Sequence, residues 1–299
     1  MIRAIPWLLG LSVLTYGWTV EVEAKTYRWV NEQGVVTYSD QPPLLRPAEG
    51  ERDALIAEAL ELSGTKKALA SVPAHIKLQL DPRQTTLKPP DKARATKILA
   101  DAFRPVVLYG AVRDAFRSSY DPQRMGVVMA QLRSPLFKKI AALELAAGEP
   151  SAKADLEVFA QTLARDVPTP ARVDLVQRQE AVVRSAALQM DMSVIAFKAV
   201  LRALEPAVPA EKRLTTREVE FAEQTLRAQQ DALTRGALVR ALYTYRTLSD
   251  EELATYVEFS ESDAGRWFVA AQRKGLLDAM RIAMDAAARQ MTAAFPAKR

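Results

Sequence analysis

The chain has 299 residues, no cysteine, a single histidine and a formal net charge of +5. A chain of this length buries a core without cross-links, and the missing cysteine removes disulfides, thiol catalysis and thiolate metal sites together. The lone His75 cannot form a two-histidine metal site, and no serine-histidine-aspartate or zincin spacing surrounds it.

Residues 1–24 read as a cleaved secretory signal: Arg3, an uncharged run from Ala4 to Val20, then Val22-Glu23-Ala24 in the small-residue pattern that precedes cleavage. The alternative is a retained membrane anchor, disfavoured by Pro6, Gly10 and Gly17 in a run already short for a span. The expected location is outside the cytoplasm, with cleavage after Ala24.

Residues 25–48 follow as a small aromatic β-hairpin. Tyr27 and Trp29 fall on one face of a first strand, and Val36 and Tyr38 match them across the turn Asn31-Glu32-Gln33-Gly34. Pro42 and Pro43 stop the second strand because neither donates to a ladder. A lone hairpin is marginal in water, so Tyr27, Trp29 and Tyr38 are the residues expected to dock it, more readily on the helical body than on a glycan or protein partner. The run Tyr27, Trp29, Val30, Gly34, Val35, Val36, Tyr38, Ser39, Asp40, Pro42, Pro43 resembles the family known as domain of unknown function 4124. That resemblance implies an extracytoplasmic protein of a Gram-negative type envelope, expected in the periplasm, and carries no assigned chemistry.

From Glu51 onward the apolar spacing is helical. Leu55, Ile56, Ala59, Leu60 and Leu62 form a stripe stopped at Ser63-Gly64, and Pro105 kinks or divides the helix running from Asp91 to Tyr120. Asp121-Pro122 and Ser134-Pro135 each read as an N-cap followed by proline at the first helical position. Pro168-Thr169-Pro170 then breaks the chain, and a second helical series runs from Ala171 to Met291. A shift of 128 residues superposes Asp121 on Ser249, Ser134 on Ser262, Met125 on Leu253, Met129 on Val257 and Ile140 on Phe268.

The expected fold class is therefore mainly α: a helical tandem-repeat body, 49–167 and 168–299, carrying the small hairpin. The unit is similar to a second family, domain of unknown function 2059, through Phe259, Ser262 and Gly265 in the second copy and Ser134-Pro135 in the first.

Residues 61–150 carry 15 Lys or Arg against 8 Asp or Glu, whereas 151–299 carry 21 against 20. The excess in the first copy points to an anionic envelope surface, lipid or peptidoglycan, or to a partner protein, with Lys66, Lys67, Lys77, Lys88, Lys92, Arg94 and Lys97 as the contact residues. The alternative is a solvated helix face. Nucleic acid is not expected, because these basic residues are not interleaved with aromatics.

No phosphate-binding glycine loop or nucleophile elbow occurs, and Ser63-Gly64-Thr65-Lys66 has the S-x-x-K spacing without its partner elements. The expectation is a non-catalytic binding protein with no cofactor and no metal. Its alternative is a glycan-cleaving enzyme of the lytic transglycosylase kind, in which Glu261 of Glu261-Ser262 would act as general acid.

Overall fold

A computed structural model describes residues 27–30, 36–39, 49–79, 89–205 and 208–295, with backbone only for the two short strands and for 77–79, 89 and 210. The proposed signal segment, Lys88 and the proline pair after the second strand lie outside the described residues. The described chain is mainly helical. Among these residues no helix is long and apolar enough to cross a membrane, and no group of three or more histidine or acidic side chains is placed to hold a metal.

Strands β1 (Tyr27–Val30) and β2 (Val36–Ser39) pair antiparallel, with Tyr27 opposite Ser39, Arg28 opposite Tyr38, Trp29 opposite Thr37 and Val30 opposite Val36. The four-residue turn expected from the sequence would set Tyr27 opposite Tyr38. One additional residue separates the strands, and a one-residue slip in register exchanges the faces. Tyr38 accordingly takes a register position on the face opposite to Tyr27 and Trp29, and the three do not share one docking face.

The first helical series is α1 (Glu49–Leu62), α2 (Thr65–Gln79), α3 (Pro89–Ala102), α4 (Pro105–Ser118), α5 (Pro122–Leu132) and α6 (Pro135–Gly148). After α7 (Ala152–Thr162) comes the second: α8 (Pro170–Val183), α9 (Ser185–Leu204), α10 (Thr216–Arg227), α11 (Gln230–Thr244), α12 (Asp250–Glu261) and α13 (Asp263–Ala294). The sequence signals act as local chemistry demands. Pro105 opens α4 rather than kinking a longer helix. Asp121 and Ser134 accept backbone N–H groups at the starts of α5 and α6, as do Ser249 and Ser262 at the starts of α12 and α13. Ser249 and Glu252 complete a capping box.

Several helix contacts of the two series correspond. α1 and α2 both lean on α4, as α8 and α9 both lean on α11. α5 returns to α1 as α12 returns to α8, and α3 rests on α2 as α10 rests on α9. Met125, Met129 and Ile140 are buried, and so are Leu253, Val257 and Phe268 at the 128-residue spacing. The joints agree as well. Gly64, between α1 and α2, has φ 56°, and Arg184, between α8 and α9, has φ 53°. They are 120 residues apart, and at this second spacing buried Leu55 and Ile56 correspond to buried Leu175 and Val176.

The final helix of each series crosses to the other. α13 lies along α4, the most extensive helix pairing in the described chain, and α6 lies along α11. The larger core joins α1–α6 to α9 and α13, and it contains Phe116 against Trp267 and Phe268, with ring centroids 6.0 and 5.2 Å apart. A smaller core gathers Ile140, Leu175, Val176, Tyr245, Leu248, Leu253 and Val257 between α6, α8, α11 and α12.

Candidate binding site

The smaller core borders a half-open cleft of about 60 Å³ between α6, α8, α11 and α12, and its origin is visible in the helix that backs it. On α4 the stripe Leu108, Val112 and Phe116 is fully buried under α13. At the 128-residue spacing, α11 carries Gly236, Arg240 and Thr244 instead. A short hydroxyl at Thr244 leaves space where Phe116 fills it, whereas Arg240 is larger than Val112 and Gly236 stands exposed outside the cleft. Arg240 and Thr244 line the cleft, with Ala147 of α6 across from them.

Where the cleft meets α6 stands Glu144, 4% exposed. The hydroxyls of Tyr245 and Tyr256 both donate to its Oε1, at 2.6 and 3.0 Å. Burial pushes the Glu144 carboxyl up to about 7, against the downward pull of these two hydrogen bonds. The reason is ordinary desolvation of an anion that has hydroxyl partners but no cation paired to it among the described residues. Burial also draws the Arg240 guanidinium downward, although a guanidinium stays charged throughout the working range of proteins.

Gln179 of α8 also lines the cleft, is 3% exposed, and has no hydrogen-bond partner at either Oε1 or Nε2 among the described residues. Leaving a carboxamide so placed costs about 1–3 kcal/mol per group, so the site tolerates a local loss of stability. Its neighbour Glu180 is engaged, accepting from Ser185 Oγ at 2.5 Å and from the Ala186 N–H at 2.9 Å, which caps the start of α9. The intervening Arg184 holds its left-handed conformation while its carbonyl accepts from Arg273 at 3.1 Å. Beside the cleft lies a second hollow of about 50 Å³, walled by Phe137, Phe259 and Phe268 and sharing Glu144, Val183 and Tyr256 with the first.

Residues 22–75 match the family described as Domain of unknown function (DUF4124). The match takes in both strands, α1 and most of α2, and includes none of the residues lining the cleft. Neither the curated proteins nor the solved structures contain a match to the chain.

The basic residues singled out from the sequence are spread over α2, α3 and the segment between them. Lys66 is exposed and paired with Glu61 at 2.6 Å, an interaction that raises its pKa. Lys67 and Lys97 are exposed and Lys92 is half-buried. Arg94 is exposed, donating to the Ala294 carbonyl at 3.0 Å with its guanidinium 5.9 Å from the Phe295 ring centre. The side chain of Lys77 and the whole of Lys88 lie outside the described residues.

Glu261 is paired with Arg178 through two hydrogen bonds of 3.0 and 2.6 Å, and the Arg178 guanidinium holds its carboxyl below the usual range. A general acid needs the opposite shift. The pair has a counterpart of reversed charge: Glu58 accepts from Arg133 at 3.0 and 3.2 Å, with Glu58 120 residues before Arg178 and Arg133 128 residues before Glu261.

Glu144, Gln179 and Arg240 were not among the sequence candidates. The signal available was a polar residue in an apolar stripe: Gln179 follows Leu175 and Val176 by one helical turn, where the first series has Ala59.

Proposed function

We propose that this chain is an extracytoplasmic helical binding protein that holds a small solute in the Glu144 cleft and breaks no bond in it. The observation that carries the reading is the buried Gln179 carboxamide in the wall of the cleft, with neither polar atom partnered among the described residues, since buried polar groups in folded proteins are nearly always satisfied by protein, water or ligand. The size of the cleft sets the scale of the occupant. About 60 Å³ corresponds to roughly four to six water positions, which suits a solute of a few heavy atoms and is far too little for a polymer strand. Glu144 has the raised pKa of a general acid, but the same volume argues against a glycan reaching it. The test is a titration followed by NMR, with acetamide, acetate, methylammonium and ethanol added singly. Saturable shifts of the Gln179, Tyr245 or Tyr256 side-chain signals by at least one solute are expected; silence from all four would remove the site.

The two helical series are copies of one unit, similar to domain of unknown function 2059. Support comes from their matched caps, matched left-handed joints and charge-reversed ion pairs at constant spacings. The secretory-signal reading of residues 1–24 and the N-terminal family match support a periplasmic location, where Lys66, Lys67, Lys92 and Lys97 on the adjoining helices α2 and α3 meet an anionic envelope surface. Co-sedimentation with peptidoglycan sacculi at low and high salt tests the contact. Salt-sensitive pelleting that weakens in a Lys92→Glu/Lys97→Glu variant is expected, and pelleting indifferent to both changes would exclude this surface.

A further inference from the structure

We propose that the Glu144 cleft selects an uncharged group carrying a hydrogen-bond donor and acceptor side by side: a primary carboxamide or a ureido group. The inference rests on the reading of the cleft as a binding site and names what it takes. Gln179 carries Oε1 and Nε2, one acceptor and one donor on a single planar amide, both unpartnered and both closed off from solvent, so an occupant of the cleft meets them when the side chain turns out of the wall. The complement of that pair is another planar group with the same two functions reversed, joined through two parallel hydrogen bonds.

The other chemical classes each satisfy half of it. A carboxylate accepts from Nε2 and sets its second oxygen against Oε1, acceptor facing acceptor. An ammonium donates to Oε1 and leaves Nε2 unpaired. An aliphatic alcohol has a single oxygen and cannot span both atoms in plane. A site built to hydrogen-bond a group at two points discriminates strongly against analogues that lack one of them.

The charges around the cleft also favour a neutral occupant. Arg240 and Glu180, one cation and one anion, both line it. Glu144 keeps its proton through the acidic range because burial holds its pKa near 7, so no net charge calls for an opposite one. Further support comes from the closed copy. At the position corresponding to Glu144, 128 residues on, the first core contains Gln272, whose carboxamide is buried and donates to Thr65 Oγ1 at 2.9 Å. Thr65 is bonded in turn to Ser63 at 3.1 Å. There the chain supplies its own carboxamide and its own partner. At the cleft the corresponding residue, Glu144 of α6, is a carboxyl turned to two tyrosines, and Gln179, which stands where the first series has Ala59, is left with an unanswered amide.

The experiment is an NMR titration of the protein with acetamide and urea against acetate and methylammonium, read on the side-chain amide signal of Gln179. Acetamide and urea are expected to saturate at concentrations at least about tenfold below either ion, the size of one buried hydrogen bond. In Gln179→Leu the acetamide affinity should fall about tenfold, with the melting temperature reporting whether the variant is folded. Acetate or methylammonium binding as tightly as acetamide would overturn the carboxamide assignment while leaving the cleft a binding site; no shift from any probe would remove both. If Gln179→Leu does not fold, the ranking of probes on the unaltered protein decides alone.

Discussion

The contact between α4 and α13 and the contact between α11 and α6 occupy corresponding places in the two series, and they have opposite characters. In the first, Gly275 lies so close to α4 that a Cβ would fall 2.6 Å from the Cα of Val112, and Phe116 fills the space beneath two aromatic rings. In the second, Ala147 stands where Gly275 does, Arg240 where Val112 does and Thr244 where Phe116 does, and the helices enclose a cleft. One arrangement of helices serves both purposes. Which it serves is decided by a few side chains on one face, so a filled site and an open one can be interconverted without altering the fold.

Exchanging the fillers gives the largest expected effect. Phe116→Thr imposes the residue of the open contact on the filled one and should cost about 4 kcal/mol, the usual price of deleting a buried phenylalanine, measured by urea denaturation. The reciprocal Thr244→Phe should leave the melting temperature unchanged or higher while abolishing acetamide binding. If both variants lost stability equally, the two contacts would not be counterparts.

Next is the pH dependence that only the open copy should possess. The Glu144 carboxyl is raised in the folded chain from 4.5 to about 7, so its favourable contribution is complete below pH 4.5 and is lost as pH rises through 7. The difference is worth about 3 kcal/mol. Denaturation from pH 4 to 8 should show that fall in the native protein and a flatter profile in Glu144→Gln. An unchanged slope in the variant would place the titrating group elsewhere.

Gly275→Ala should cost about 2 kcal/mol by forcing α13 off α4, whereas the open copy already carries alanine at that place. Smaller still, Asp121→Ala and Ser249→Ala should each lose about 1 kcal/mol, equally in the two series, as corresponding N-caps. The mildest change is an exchange of charge. Glu58→Arg and Arg133→Glu should each lower the melting temperature slightly, and together restore it, because the second series runs the same pair in reverse.

Much of the fold was legible in the sequence because its signals are local. An N-cap, a proline at the first helical position and an apolar stripe each act within a turn or two, and the spacing of Asp121 and Ser134 to Ser249 and Ser262 carried the correspondence of the series. The hairpin register was not legible, because a single residue in the turn exchanges every face while the composition stays the same. The cleft escaped for a different reason. Gln179, Glu144 and Arg240 come from three helices whose meeting depends on α6 crossing to the second series, and no periodicity within one helix records that crossing. What each helix did show was a polar residue on an apolar face, and the 128-residue shift applied to Phe116 leads directly to Thr244. Glu261 failed as a candidate because a dipeptide carries no information about its partner, and the partner, Arg178, lies 83 residues away in sequence.

The crossing of α13 onto α4 also sets a timetable for a chain that emerges from its N-terminus. Phe116 and its covering rings at Trp267 and Phe268 are separated by about half the protein. Whatever the rate at which the chain emerges, the apolar face of α4 waits for some 150 further residues before its cover arrives. The first series cannot finish as an autonomous unit. It is completed by α13, so the two series reach their folded state together, and a chain cut short before α13 is left without the lid of its main core.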